Sequence, residues 1–290
     1  AVVPVPLPDE KAVQELAVDL GFTEAPAPLD VTELFAMVVE DLDDDTPRAI
    51  LGDRWLEAND PRGELVSLQL KAHRNEATTA DLERMVTLEK SVEGEWLGEL
   101  VLLTSSRRFH RGFLEEISLA PDTTMPRARW EQAAKDPRLG TVRTLRAGHA
   151  TESLCLVFMA SLPNLETIEI RSEAMRKAVV SRPRPPKLRS ALYTPPPPRD
   201  VVPSSEVKSL LDHGFSRVVV VYDVARRMAI DATLLNLASE HATVVLQSMD
   251  ACFTAKGTSR GLELDISSRD SFPVGKVLEV CPGATLSLHR

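Results

Sequence analysis

From Asp30 onward, apolar residues recur at three- and four-residue steps. Val31, Leu34, Phe35, Val38, Val39 and Leu42 form one stripe, the pattern of a helix with a single buried face. Asp30 and Thr32 are candidate N-caps, and Glu33 falls in the first turn. A second helix is expected after Asp45-Thr46, with Pro47 at its start and Ile50, Leu51, Trp55 and Leu56 on its apolar face. Asn59-Asp60-Pro61 marks a turn. A third helix then carries Leu65, Leu68, Gln69 and Leu70, and a fourth runs from about Thr79 through Leu82, Met85, Leu88, Val92 and Trp96.

Past residue 104 the period changes. Leu114-x-x-Ile117-x-Leu119 is followed by the same spacing in Val142-x-x-Leu145-x-Ala147, Leu165-x-x-Ile168-x-Ile170 and Leu188-x-x-Ala191-x-Tyr193. The last three copies are offset by 23 residues, inside the range of about 20 to 29 typical of leucine-rich repeats. Further short β-like runs follow at 217–222, 243–247, 262–266 and 285–289, with helical pieces at 152–162, 205–211 and 232–239. Strand and helix alternating at a near-fixed period predict parallel strands in one sheet. The expected fold class is therefore α/β: a helical module over 1–104, then a leucine-rich-repeat-like solenoid with a parallel sheet over 105–290. The usual repeat asparagine is missing after the strands, where Gly148 and Ser172 stand. The array is degenerate.

One stretch resembles a known family. Asp43-Asp44-Asp45-Thr46-Pro47-Arg48 leads to Trp55-Leu56-Glu57, then Asp60-Pro61-Arg62-Gly63-Glu64 and Leu68-Gln69. About 30 residues here are similar to the repeat-companion domain, a short bacterial module usually found ahead of leucine-rich-like repeats. Phe109-His110-Arg111-Gly112-Phe113-Leu114-Glu115-Glu116 resembles the aromatic-Arg-Gly entry into the first repeat strand of such proteins. Asp53-Arg54 departs from the Ala-Asp that usually precedes the family's Trp. The resemblance implies an architecture and no reaction.

Composition adds limits. Hydrophobic residues make up 43% but aromatics only 4%, so the core must be largely aliphatic, a bias shared by solenoids. Pro195 to Pro198 predict an extended surface loop after the 187–194 strand. No run of apolar residues is long enough to span a membrane, and Ala1 to Pro6 lacks the features of a secretion signal. Cys155, Cys252 and Cys281 are widely spaced and read as small hydrophobes in a reducing compartment, so the cytoplasm is expected. The net charge of −9 is uneven: the first 100 residues hold 23 acidic and 8 basic side chains, the remaining 190 hold 20 and 26.

Candidates for chemistry are weak. Gly257-Thr258-Ser259-Arg260-Gly261 has the Gly-x-Ser-x-Gly form, and Asp265 and His289 follow in hydrolase order. A nucleophile elbow, however, leads from a strand into a helix, and here Gly261 leads into a strand. The acidic run from Asp41 lacks the glycine and glutamate of a calcium loop, with Thr46 and Gly52 at those positions. The six histidines are scattered, and no metal or cofactor is expected. Arg171, Arg176, Lys177, Arg182, Arg184, Lys187 and Arg189 are the densest basic stretch, but no aromatics interleave for base stacking.

These observations predict a non-enzymatic scaffold that binds another protein through the sheet face. The alternative is an anionic-ligand or nucleic-acid binder using Arg171 to Arg189, and nucleic acid is not favoured. The expected contact residues are Thr144, Arg146, Thr167, Glu169, Val219, Val221, Leu246, Glu263 and Asp265, with self-association as a variant of the same role. The four consecutive valines Val218 to Val221 leave both faces of their strand apolar, which singles out Val219, Val221 and Leu246 as the main contact patch.

Overall fold

The computed structural model describes residues 29–121, 126–148, 150–194, 204–221, 237–239, 241–247, 251–259, 261–268 and 284–289. Four long helices come first. In α1 (Val31–Glu40), the Asp30 carboxylate accepts the Glu33 amide while Glu33 accepts the Asp30 amide, a reciprocal cap. α2 (Thr46–Glu57) has Pro47 in its first turn, α3 (Pro61–His73) starts on the Asp60 cap, and α4 (Thr79–Leu97) on a Thr78–Asp81 box. The short α5 (Leu100–Leu103) delivers the chain to the sheet.

There follow β1 (Thr104–His110), β2 (Phe113–Leu119), α6 (Arg127–Ala133), a 3-10 turn (Pro137–Thr141), β3 (Thr144–Arg146), α7 (Glu152–Ser161), β4 (Thr167–Ile170), α8 (Glu173–Val180) and β5 (Ser190–Tyr193). Then come α9 (Ser204–Asp212), β6 (Arg217–Val221), β7 (Thr243–Gln247), β8 (Ala251–Thr258), β9 (Gly261–Ser268) and β10 (Thr285–His289). All ten strands lie in chain order in one open, mostly parallel sheet. Parallel pairing runs from β2 to β7 and again between β9 and β10. Among the described residues, no helix is long and apolar enough to cross a membrane.

The all-parallel expectation fails at β8. Thr258 pairs directly with Gly261, so two residues reverse the chain and β7–β8–β9 are antiparallel. Ser259 thus sits in a hairpin turn, with no helix following it. β1 was also missed, because Thr104-Ser105-Ser106-Arg107-Arg108 carries no apolar alternation; its partner β2 holds it in place. The helical piece expected at 232–239, the proline loop and Cys281 fall wholly or mainly outside the described residues.

Register follows the spacing. Thr144 pairs with Thr167 and Thr167 with Ser190, 23 residues apart each time. The core face is consequently a continuous row: Ile117, Leu145, Ile168, Ala191, Val218, Val244, Ala255 and Leu264 are successive partners and all buried. Leu246 is the partner of Val220 in the next row and belongs to this core, which corrects its placement on the contact face. The four valines divide: Val218 and Val220 face the core, Val219 and Val221 the other side.

The module shares that core. One cluster of buried side chains runs from Leu34 through Trp55, Trp96 and Phe113 to Leu264, crossing the expected boundary at residue 104 without a break. Trp55 packs 6.2 Å from Trp96 and 5.8 Å from Phe113. On α2 the buried face is turned from the expected stripe: Ile50 and Leu56 are 44% and 45% exposed, whereas Arg48 is fully buried. Helix crowding explains the turn. A Cβ on Gly63 would lie 2.5 Å from the Gly52 carbonyl oxygen, so α2 and α3 meet along their glycines. Trp55→Ala should accordingly cost about 3–5 kcal/mol in urea unfolding, while Ile50→Ala should stay within about 0.5 kcal/mol.

Candidate functional site

The sheet is positioned by the β1–β2 turn. Arg111 has φ +49° and Gly112 φ +85°, and a Cβ on Gly112 would lie 2.2 Å from Val66 of α3. The Gly112 amide donates to Gln69 Oε1 at 2.7 Å, and Gln69 Nε2 donates to Glu89 of α4. Burial raises the Glu89 carboxyl above its ordinary value. Arg111 donates to the Leu42 carbonyl at 2.6 Å and to Asp45 at 3.1 Å. Arg143, just ahead of β3, reaches Asp43 at 2.6 Å and Glu166 at 3.1 Å. The acidic turn of the sequence is therefore the socket for two arginines of the sheet.

Opposite the core, two rows of side chains cross the sheet. In the first, Glu116, Thr144, Thr167, Ser190, Arg217, Thr243, Lys256, Glu263 and Thr285 are successive register partners. Every one is polar and at least partly exposed. At strand spacing, eight steps make a strip of about 40 Å. The second row includes Arg146, Glu169, Leu192, Val219, Val245, Thr254 and Asp265.

Of the expected contact residues, Thr144, Arg146, Thr167, Val221, Glu263 and Asp265 are partly or fully exposed on this face. Glu169 is buried: its carboxylate accepts the Ala147 amide at 3.1 Å and faces Arg171, so it staples β4 to the end of β3. Val219 is only 4% exposed and its partner Val245 1%. With Leu246 in the core, the apolar contact patch is corrected: two of its three members are shielded within the chain. Glu116 and Arg146 form an ion pair on the polar face.

Several members of the basic stretch have partners within the chain. Arg171 and Arg184 donate to the Gly148 and Leu188 carbonyls, Arg176 to Ser209, and Lys187 to Asn164, while Lys177 pairs with Glu173. Arg171, Lys177, Arg182, Lys187 and Arg189 nevertheless remain exposed.

A second feature went unread in the sequence. A cleft of about 840 Å³ lies between the start of α1, the α2–α3 turn, the end of α4 and the 3-10 turn. Its lining includes two copies of one tripeptide, Asp60-Pro61-Arg62 and Asp136-Pro137-Arg138. In each, the Asp caps the turn by accepting the Arg amide and grips the same guanidinium with both oxygens. The Arg62 guanidinium lies 4.5 Å from the Trp55 ring centroid and 6.0 Å from that of Trp96. Recurrence of Asp-Pro-Arg was the available signal, but only folding brings residues 60 and 136 together.

No family model, curated protein or solved structure matches this chain. Its functional reading therefore comes from its own geometry.

The junction makes a pH prediction. Burial raises the Glu115 carboxyl, but the hydrogen bond and charge of His110, with Arg48 and Arg143, outweigh it and leave Glu115 below its usual range. The Arg143 hydrogen bond likewise holds Asp43 low. A carboxylate with a depressed folded-state pKa stabilises fully above its unfolded value of about 4 and loses that contribution as pH falls through the folded one. Glu115→Gln should lower the urea midpoint at pH 7 and differ progressively less from the native chain towards pH 3. A gap that does not change with pH would assign Glu115 a purely steric role.

Proposed function

We propose that this chain is a non-enzymatic scaffold that holds another protein across the polar face of its sheet. In this reading a repeat-companion-like module caps a degenerate leucine-rich-repeat-like solenoid, and the cytoplasm is the setting. The observation that carries it is the polar row from Glu116 to Thr285, in which one side chain per strand stays in register across the sheet. A regular row of small hydroxyls and mixed charges suits an extended protein surface better than a compact substrate. The 23-residue register of β3, β4 and β5 supports the solenoid part of the proposal.

Photo-crosslinking separates the faces. A photoreactive residue at Thr167 or Ser190 should capture a partner in the native cell. The same residue at Ala174, exposed on α8, should not. Capture from Ala174 alone would move the contact surface to the helical side. The double variant Thr167→Arg, Ser190→Arg should lose the partner with unchanged far-ultraviolet circular dichroism.

A further inference from the structure

We propose that two copies of this chain associate through the edge where the strands begin, the acidic turn of each copy meeting the basic end of the other. This contact uses the edge of the sheet and does not depend on the sheet-face reading.

The backbone orders charge along that edge. The Arg143 carbonyl accepts the Glu166 and Thr167 amides, the Glu166 carbonyl accepts those of Arg189 and Ser190, and the Arg189 carbonyl accepts those of Ser216 and Arg217. Arg143, Glu166, Arg189 and Arg217 thus stand on successive strands. Arg143 bridges Asp43 and Glu166, so the middle of the series is neutralised within the chain. Pairing then stops. Arg189 and Arg217 are exposed and form no ion pair among the described residues, and Arg182, ahead of β5, is in the same state. At the other end, Glu40, Asp41 and Asp44 are likewise exposed without an ion pair. The Val39 carbonyl accepts Asn164 Nδ2, and Lys187 donates to the Asn164 side-chain oxygen, which holds the end of α1 and the approach to β5 on one edge.

The edge is therefore bipolar. Unpaired carboxylates flank Asp43, the Arg143–Glu166 pair lies between, and unpaired guanidiniums follow within three strand spacings, about 14 Å from Arg143 to Arg217. A surface of this kind is its own complement. A twofold axis near the Arg143–Glu166 pair sets the acidic end of one copy on the basic end of the other, and does so twice, which closes the contact at a dimer. A partner of one sign would be attracted at one end and repelled at the other, so charge complementarity favours a second copy over a polyanion or a polycation.

Exchange of charges tests the contact, with sedimentation velocity of the full chain as the readout. The native chain should form a dimer at about 20 mM salt and dissociate at least about tenfold more readily at about 500 mM, where screening shortens the reach of exposed charges. Arg189→Glu with Arg217→Glu makes both ends acidic, and Glu40→Lys with Asp41→Lys makes both basic. Each double variant alone should keep the native urea midpoint and sediment as a monomer at low salt. An equimolar mixture of the two should restore the dimer, because both contacts then join opposite charges. Should a reversal lower the midpoint, Arg189→Gln with Arg217→Gln should lose the dimer and gain nothing from the mixture. A native chain that stays monomeric at low salt up to about 100 μM, a reversed variant that dimerises like the native chain, or a mixture that stays monomeric would each overturn the proposal. Growth beyond the dimer with rising concentration would also overturn it, by showing a head-to-tail contact in place of the twofold one.

Discussion

Everything downstream of the module depends on a two-residue turn. Arg111 and Gly112 both take positive φ, which brings the backbone against Val66 closely enough to exclude any side chain at 112. The turn is then held from two sides: its amide by Gln69, and its guanidinium by the Leu42 carbonyl and Asp45. Because β1 and β2 flank it, fixing the turn fixes β2, and each later strand inherits its register. The module therefore caps the β1–β2 end of the sheet and shares one buried cluster with Ile117.

The same junction concentrates charge away from solvent. Arg48 is fully buried, donates to the Leu42 and Arg111 carbonyls, and lies 4.9 Å from the Phe113 ring centroid. Burial, with repulsion from Arg111, pushes its guanidinium down to about 10, so it stays charged at neutral pH. Glu115 and Asp45 supply the compensating field. Such a cluster adds little net stability over an apolar core but penalises wrong docking heavily, since any misplacement strands a buried charge. It specifies how the sheet sits on the module more than it strengthens either.

Local pattern reveals much of this, and long-range pairing accounts for what it conceals. The Asp30 cap, Pro47 start and the Leu165-x-x-Ile168-x-Ile170 spacing are written in neighbouring residues, so the first helices and the register of β3 to β5 could be read directly. Burial of Arg48 could not, because it depends on a carbonyl at position 111. Glu169 looks like a solvent-facing strand residue until the Ala147 amide is placed beside it. Val219 misled for a related reason: alternation predicts which face a side chain takes but not whether that face is shielded. The paired Asp-Pro-Arg turns are separated by 76 positions in the sequence and meet only through the shared core of module and sheet.

That shared core is tested most directly by native-state hydrogen exchange at the Gly112 amide. If the turn is locked into a single cooperative unit with the sheet, this amide should exchange only through global unfolding, with the same protection and denaturant dependence as the amides of β4. Exchange of Gly112 at the rate of a surface turn, while β4 stays protected, would show that module and sheet open independently and would contradict the cap.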